Sequence, residues 1–127
     1  MTSPLALIFY ESLLTGNQLV NRLQDLGYRV VVVTDLGRLA EQAAEVKPLV
    51  CVVEFGALAE RACAAVRSLH AAAPTTHVPV LGLYNFTGKK TDRTIADSAQ
   101  AAGVTLLANE RGFVAQLPEL LQRVLEV

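Results

Sequence analysis

Few residues in this 127-residue chain can do chemistry, and the acidic ones stand at a repeated kind of place. Glu11, Glu54 and Glu110 each end or follow a short apolar run, as do the pairs Thr34-Asp35 and Tyr84-Asn85. A carboxylate so placed can ligate a hard cation or act as a nucleophile; before a helix it can instead cap the helix, favoured by the helix dipole. The other candidates fail on spacing. Gly88-Lys89 resembles the end of a phosphate-binding loop, yet Gly82 lies one residue too far away and Lys90 stands where a Ser/Thr must bind magnesium. The segment Glu11-Ser12-Leu13-Leu14-Thr15-Gly16 has a single glycine, so it is no dinucleotide cradle, and Ser12, Thr15 and Gly16 only faintly echo a flavin loop. His70 and His77, seven residues apart, do not have metal-ligand spacing, and Ser12 and Ser98 lack a nearby histidine or a nucleophile-elbow sequence. Cys51 and Cys63 sit in apolar and Ala-rich surroundings and read as small buried hydrophobes.

The elements that must position these residues alternate along the chain. Apolar runs at Leu5 to Tyr10, Tyr28 to Val33, Leu49 to Val53, Val78 to Leu83 and Val104 to Ala108 predict five strands. Each is followed by a segment of helical periodicity. Thr15 is the expected cap of the first helix, with Leu19, Val20, Leu23 and Leu26 inward and Gly27 as its stop. Asp35 caps a second helix carrying Leu39, Ala40, Ala43 and Ala44, which ends at Lys47-Pro48. The third helix turns Leu58, Ala62, Ala65, Val66 and Leu69 inward. The fourth, after the polar stretch Asn85 to Asp92, carries Ile95, Ala96, Ala99 and Ala102 and stops at Gly103. The last is expected to begin near Leu117, with residues 112–116 irregular, because Pro118 fits a first turn and breaks an interior.

Five strand-helix units without a hairpin signal require a parallel sheet with helices on both faces, and right-handed crossovers favour the strand order 2-1-3-4-5. Function in such a sheet lies at the carboxyl ends of the strands. Composition narrows it further. With 52% hydrophobic and 18% charged residues, the chain can build a core without disulfides or metal. Eleven Lys+Arg against 12 Asp+Glu give no bias toward nucleic acid or anionic membrane, and Lys89-Lys90 with Arg93 reads as a solvated turn. No apolar run approaches the roughly 20 residues of a membrane span, and the first residues do not form a signal peptide, so a cytoplasmic location is expected.

The register of these features resembles the receiver domain of two-component response regulators. In that family two acids end the first strand, a Gly-Tyr pair opens the second, and Lys-Pro precedes the third strand, which ends in the phosphoacceptor aspartate. Gly27-Tyr28, Lys47-Pro48 and Glu54 stand at those spacings, and Val78-Pro79-Val80 resembles the start of the fourth strand. The resemblance implies a flavodoxin-like, receiver-like three-layer α/β sandwich, with residues 1–127 forming one domain without an output domain.

The chemical positions depart from the family. The acidic pair is Tyr10-Glu11, the phosphoacceptor is Glu54, the switch Ser/Thr becomes Tyr84 followed by Asn85, and the lysine after the fifth strand falls on Glu110, with Arg111 in place of its proline. The loop after the phosphoacceptor is shortened. Aspartyl phosphorylation needs a divalent cation, a short carboxylate and neutralising cations; this set offers an acid where a cation belongs. A degenerate pocket of Tyr10, Glu11, Glu54, Tyr84, Asn85 and Glu110 is therefore expected, partly filled by Tyr10, Tyr84 and Asn85, with no catalytic residue, metal or cofactor. Glu54 reads either as a fixed negative charge or as a solvated strand-end residue, Tyr84 as a fixed signalling aromatic or a cover on the pocket, and Glu11 as a metal remnant or a cap on the first helix.

The expected function is a non-enzymatic, phosphorylation-independent signalling module acting by protein contact. By resemblance, a protein partner or a second copy would use the face of the fourth helix, fifth strand and fifth helix, residues 95–100 and 112–126. The alternative is a small anion- or nucleotide-binding domain, or an enzyme, using the loop from Asn85 to Asp92.

Overall fold

A computed structural model of the chain describes residues 3–126. Five strands alternate with five helices: β1 (Leu5–Phe9), α1 (Leu13–Asp25), β2 (Arg29–Val32), α2 (Leu39–Val46), β3 (Val50–Phe55), α3 (Ala59–Ala71), β4 (Val80–Tyr84), α4 (Lys90–Ala102), β5 (Leu106–Asn109) and α5 (Phe113–Leu125). Short 3-10 turns at Leu36–Arg38 and Ala73–Thr75 precede α2 and β4. All strand pairs are parallel, in the order β2-β1-β3-β4-β5 expected from the crossover argument.

Because successive strand residues face opposite sides, the sheet sorts its side chains by parity. Ala6, Ile8, Val50, Val52, Leu81 and Leu83 pack beneath α1 and α5 with Leu19, Leu23, Phe113, Leu117 and Leu121. Leu7, Phe9, Cys51, Val53, Phe55 and Val80 pack on the other face with Leu39, Ala62, Val66 and Leu69. At β4 the second face needs Gly82: a Cβ there would stand 2.8 Å from Leu107 and 3.0 Å from Phe55. Cys51 and Cys63 are both buried and unbridged, as expected, and burial pushes the Cys51 thiol up to about 12.

Several local expectations are corrected. Thr15 does not cap α1; Ser12 precedes the helix, and Thr15 is buried in its first turn. Asp35 caps the 3-10 turn, accepting from the Gly37 amide at 2.9 Å, and α2 starts only at Leu39. Leu58 precedes α3 and is exposed, not inward. The helix stops at Gly27 (φ 90°) and Gly103 (φ 108°) hold, both in the left-handed region that glycine tolerates.

The largest correction concerns α5, which starts at Phe113 and carries Pro118 inside it. Proline lacks the N–H that would reach the carbonyl four residues back, here Val114. A long-range partner takes its place: Arg22 of α1 donates from Nε to the Val114 carbonyl at 3.1 Å. The charged donor from a neighbouring helix satisfies the carbonyl that the proline orphans, so the helix runs through. Replacing Arg22 with Met should cost about 1–2 kcal/mol in urea denaturation. The loss should shrink in a Pro118→Ala background, where residue 118 regains an N–H for that carbonyl.

Candidate functional site

The carboxyl ends of β1, β3, β4 and β5 lie side by side, with Phe9 opposite Val53, Phe55 opposite Tyr84 and Tyr84 opposite Asn109. Glu54 lies within β3, one residue before its end, and shares the parity of Val50 and Val52. Its side chain therefore points toward the α1 and α5 side. It is 5% exposed, which removes the reading of a solvated strand end. Its Oε1 accepts from the Glu11 amide at 2.8 Å and the Ser12 amide at 3.0 Å, just ahead of α1.

Glu11 returns the contact. Its Oε2 accepts from the Gly56 amide at 2.8 Å, and both its oxygens accept from the Leu58 amide, at 3.2 and 3.1 Å. Leu58 immediately precedes α3, so Glu11 caps the third helix, not the first as expected. Gly56 makes room for this, since a Cβ there would stand 3.0 Å from the Glu11 carboxylate. Two carboxylates thus brace two loops reciprocally. Amides at helix N-termini are unpartnered donors, and ionised acceptors suit them because charge-assisted bonds are about twice as strong as neutral ones.

Glu110 joins the same pocket from the loop after β5. Its amide donates to the Tyr84 carbonyl at 2.9 Å, while its carboxyl faces Glu54 and the Thr15 hydroxyl. Its Oε1 is buried without a donor. Burial first, then contact with the Glu54 carboxylate and that group's charge, raise Glu110 to about 7, with a smaller push from Glu11 and an opposing pull from Thr15.

Of the remaining expected members, Tyr84 and Asn85 do not enter the pocket. Tyr10 shares parity with Ala6 and Ile8, and its ring lies on the backbone of α1, where a Cβ at Gly16 would overlap it. Tyr84 has the opposite parity to Leu83 and is buried on the α2 to α4 side, in edge-on contact with Phe86 at 5.0 Å between centroids. Its hydroxyl donates to Asp92 at 3.0 Å, so the ring is fixed in the core and is not a lid. Asn85 is exposed.

Asp92 also decides the loop from Asn85 to Asp92. Its carboxylate accepts from the amides of Thr87 (2.9 Å) and Gly88 (2.6 Å), the Thr87 hydroxyl (2.8 Å) and Tyr84. Burial opposes its ionisation, yet these donors hold it at about 2. The amides that could cradle an anion are turned onto the chain's own aspartate, so the cradle that an anion-binding loop requires is already filled. Gly56 escapes sequence reasoning as a site residue, and Thr15, Gly16 and Asp92 read from sequence only as a helix cap, a faint flavin-loop echo and the end of a candidate anion loop. Asp92 in the first turn of α4, behind a Thr-Gly, was the one local signal, being placed to reach back to preceding amides.

Divalent metal does not fit these residues. Both oxygens of Glu11 and one of Glu54 are taken by amides, and among the described residues no three His, Cys, Asp or Glu side chains are arranged to hold a metal. Outside the pocket, a cleft of about 470 Å³ between the 3-10 turn before α2 and α3 is lined by Phe9, Leu36, Leu58 and Arg61. Among the described residues no helix is long and apolar enough to cross a membrane.

No protein-family model matches the chain, and no curated protein matches it. Solved structures do. A response regulator from Thermotoga maritima shares 15% identity at a TM-score of 0.81, over 99% of this chain and 100% of that one. The chemotaxis protein CheY4 of Vibrio cholerae shares 20% identity at 0.81, over 97% and 99%. The receiver domain of a sensor histidine kinase from Pseudomonas aeruginosa, solved with magnesium coordinated in its active site cleft, shares 20% at 0.81, over 99% and 100%.

Replacing Gly16 with Ala should cost about 1–3 kcal/mol, from overpacking against Tyr10, and the loss should fall when Tyr10 is also truncated to Ala. Replacing Glu54 with Ala leaves the Glu11 and Ser12 amides without an acceptor. It should cost about 2 kcal/mol or more in denaturant titrations and speed hydrogen exchange at those two amides.

Proposed function

We propose that this chain, which carries the response-regulator receiver fold, is a signalling or regulatory module that works through protein contact and without phosphorylation. The observation that carries this reading is the reciprocal brace. In a phosphotransfer pocket the carboxylates must be free to hold a cation and to present a nucleophile. Here Glu11 and Glu54 tie the loop after β1 to the loop after β3 by their own bonds to amides. Glu54 is 5% exposed, and the position facing it is occupied by Glu110 where a transferring phosphoryl group would need a cation. The pocket is organised by the polypeptide itself, which supports a domain that needs no phosphoryl group to set its state.

A module of this kind acts by presenting a surface. The resemblance points to the face of α4, β5 and α5, either for a protein partner or for a second copy. Three of the four large apolar side chains that stand exposed point elsewhere: Leu13 (68%), Leu14 (69%) and Leu58 (38%) lie at the beginnings of α1 and α3, while Leu49 (45%) lies just before β3. Those two helix starts are the ones the brace joins, so a partner docking there would read the braced loops directly.

Incubation with acetyl phosphate or a phosphoramidate plus magnesium should leave the intact mass unchanged. A stable gain of one phosphate on Glu54 overturns the reading. A thermal-shift screen with nucleotides, flavins and phosphorylated metabolites should produce no shift, and a shift of several degrees from one of them would favour a ligand-binding domain instead.

A further inference from the structure

Acidic side chains reach the pocket from three separate elements, and among the described residues no cation faces them. Glu54 comes from β3, Glu11 from the loop before α1 and Glu110 from the loop before α5. The group that faces them from α1 is the neutral hydroxyl of Thr15, and the polar side chain of β4, Tyr84, turns its hydroxyl away onto Asp92 of α4. The ion pair found among the described residues, Arg38 with Glu41, lies on the surface at the start of α2. Glu11 and Glu54 accept from backbone amides, whereas the buried Oε1 of Glu110 has no donor, and its carboxyl lies against the Glu54 carboxyl and the Thr15 hydroxyl.

A shared proton lets two acceptors in contact satisfy each other. A buried oxygen without a partner costs about 1–3 kcal/mol, and a second negative charge beside the first adds repulsion that only an intervening positive charge can relieve. We propose that Glu110 and Glu54 share a single proton, and that this proton joins the loop after β5 to β3, making the pocket a pH-sensitive latch. It does at one atom what a lysine at position 110 would do at every pH. When the proton leaves, both carboxyls are charged, and the loop carrying Glu110 is pushed away from the braced pair.

The direction of the pH dependence follows from where the proton is held. Glu110 keeps its proton in the folded chain up to about 7, whereas in the unfolded chain it releases it at its ordinary value of 4.5. Between these two values the folded state binds more protons than the unfolded one, so stability falls as pH rises. The contribution of the latch is complete below the unfolded value and gone above the folded one. Asp92, held at about 2, adds its own dependence only in stronger acid, outside this window. The latch does not depend on how the domain signals; it is a property of the pocket.

Carbon-13 NMR of the glutamate carboxyls and amide spectra, recorded on the whole chain from about pH 4 to about pH 9, test this directly. The Glu110 carboxyl and the Glu11 and Ser12 amides should shift together with one midpoint near 7. The melting temperature should fall by several degrees between pH 4.5 and about 7 and level off above it. Glu110→Gln should abolish the shared midpoint and melt above the wild type on the alkaline side, and Glu110→Lys should do the same. Both histidines are common to all three proteins and cancel in the differences. A Glu110 carboxyl that titrates near 4.5, or Glu11 and Ser12 amides that stay flat throughout, overturns the proposal. So does magnesium that reproduces the acid form at alkaline pH, because a cation and not a proton would then close the pocket. If a variant fails to fold, the wild-type carboxyl titration alone decides.

Discussion

Everything at the carboxyl end of this sheet depends on two carboxylates that each accept from backbone amides of the other's loop. Glu54 reaches from β3 to the amides of Glu11 and Ser12, and Glu11 reaches back to those of Gly56 and Leu58. The donors lie ahead of α1 and α3, where a helix leaves amides unpartnered and its dipole favours negative charge. Removing Glu54 would strip acceptors from the loop after β1, and removing Glu11 would strip them from the loop after β3. The contact spans more than 40 residues of sequence and ties the two loops together.

The rest of the pocket follows from sheet parity. Tyr10 and Glu54 share one face, so Tyr10 must lie on α1, and Gly16 is what lets it. Tyr84 takes the other face, and its hydroxyl helps Asp92 gather the amides that open α4. Glu110 enters between these commitments and finds an acceptor where a cation would have been met. The same economy of local acceptors and distant donors appears away from the site, where Arg22 supplies the bond that Pro118 cannot.

A receiver fold can therefore persist with a different physical logic at its strand ends. Fold reports how elements stack, while function depends on the groups that converge. At 15–20% identity to the solved receiver structures, the sheet order and helix layers are kept. The convergent groups here bind their own backbone and, in one case, lie against each other.

The sequence by itself determined the layers, the strand order and the positions that meet at the carboxyl ends, because hydrophobic period, glycine stops and crossover handedness are local or nearly so. It also marked Glu11, Glu54 and Glu110 as the acids to examine. Parity along each strand held, in principle, the information that Tyr10 and Tyr84 part to opposite faces. The tertiary structure alone decided what each acid touches. Glu11 caps the third helix and not its own, Asp92 empties a loop of free amides, and α5 runs through a proline because α1 lends it an arginine. Those outcomes rest on hydrogen bonds between segments distant in the chain, and a polar side chain's choice among competing amides is set by which donors packing brings within about 3 Å, which no local pattern encodes.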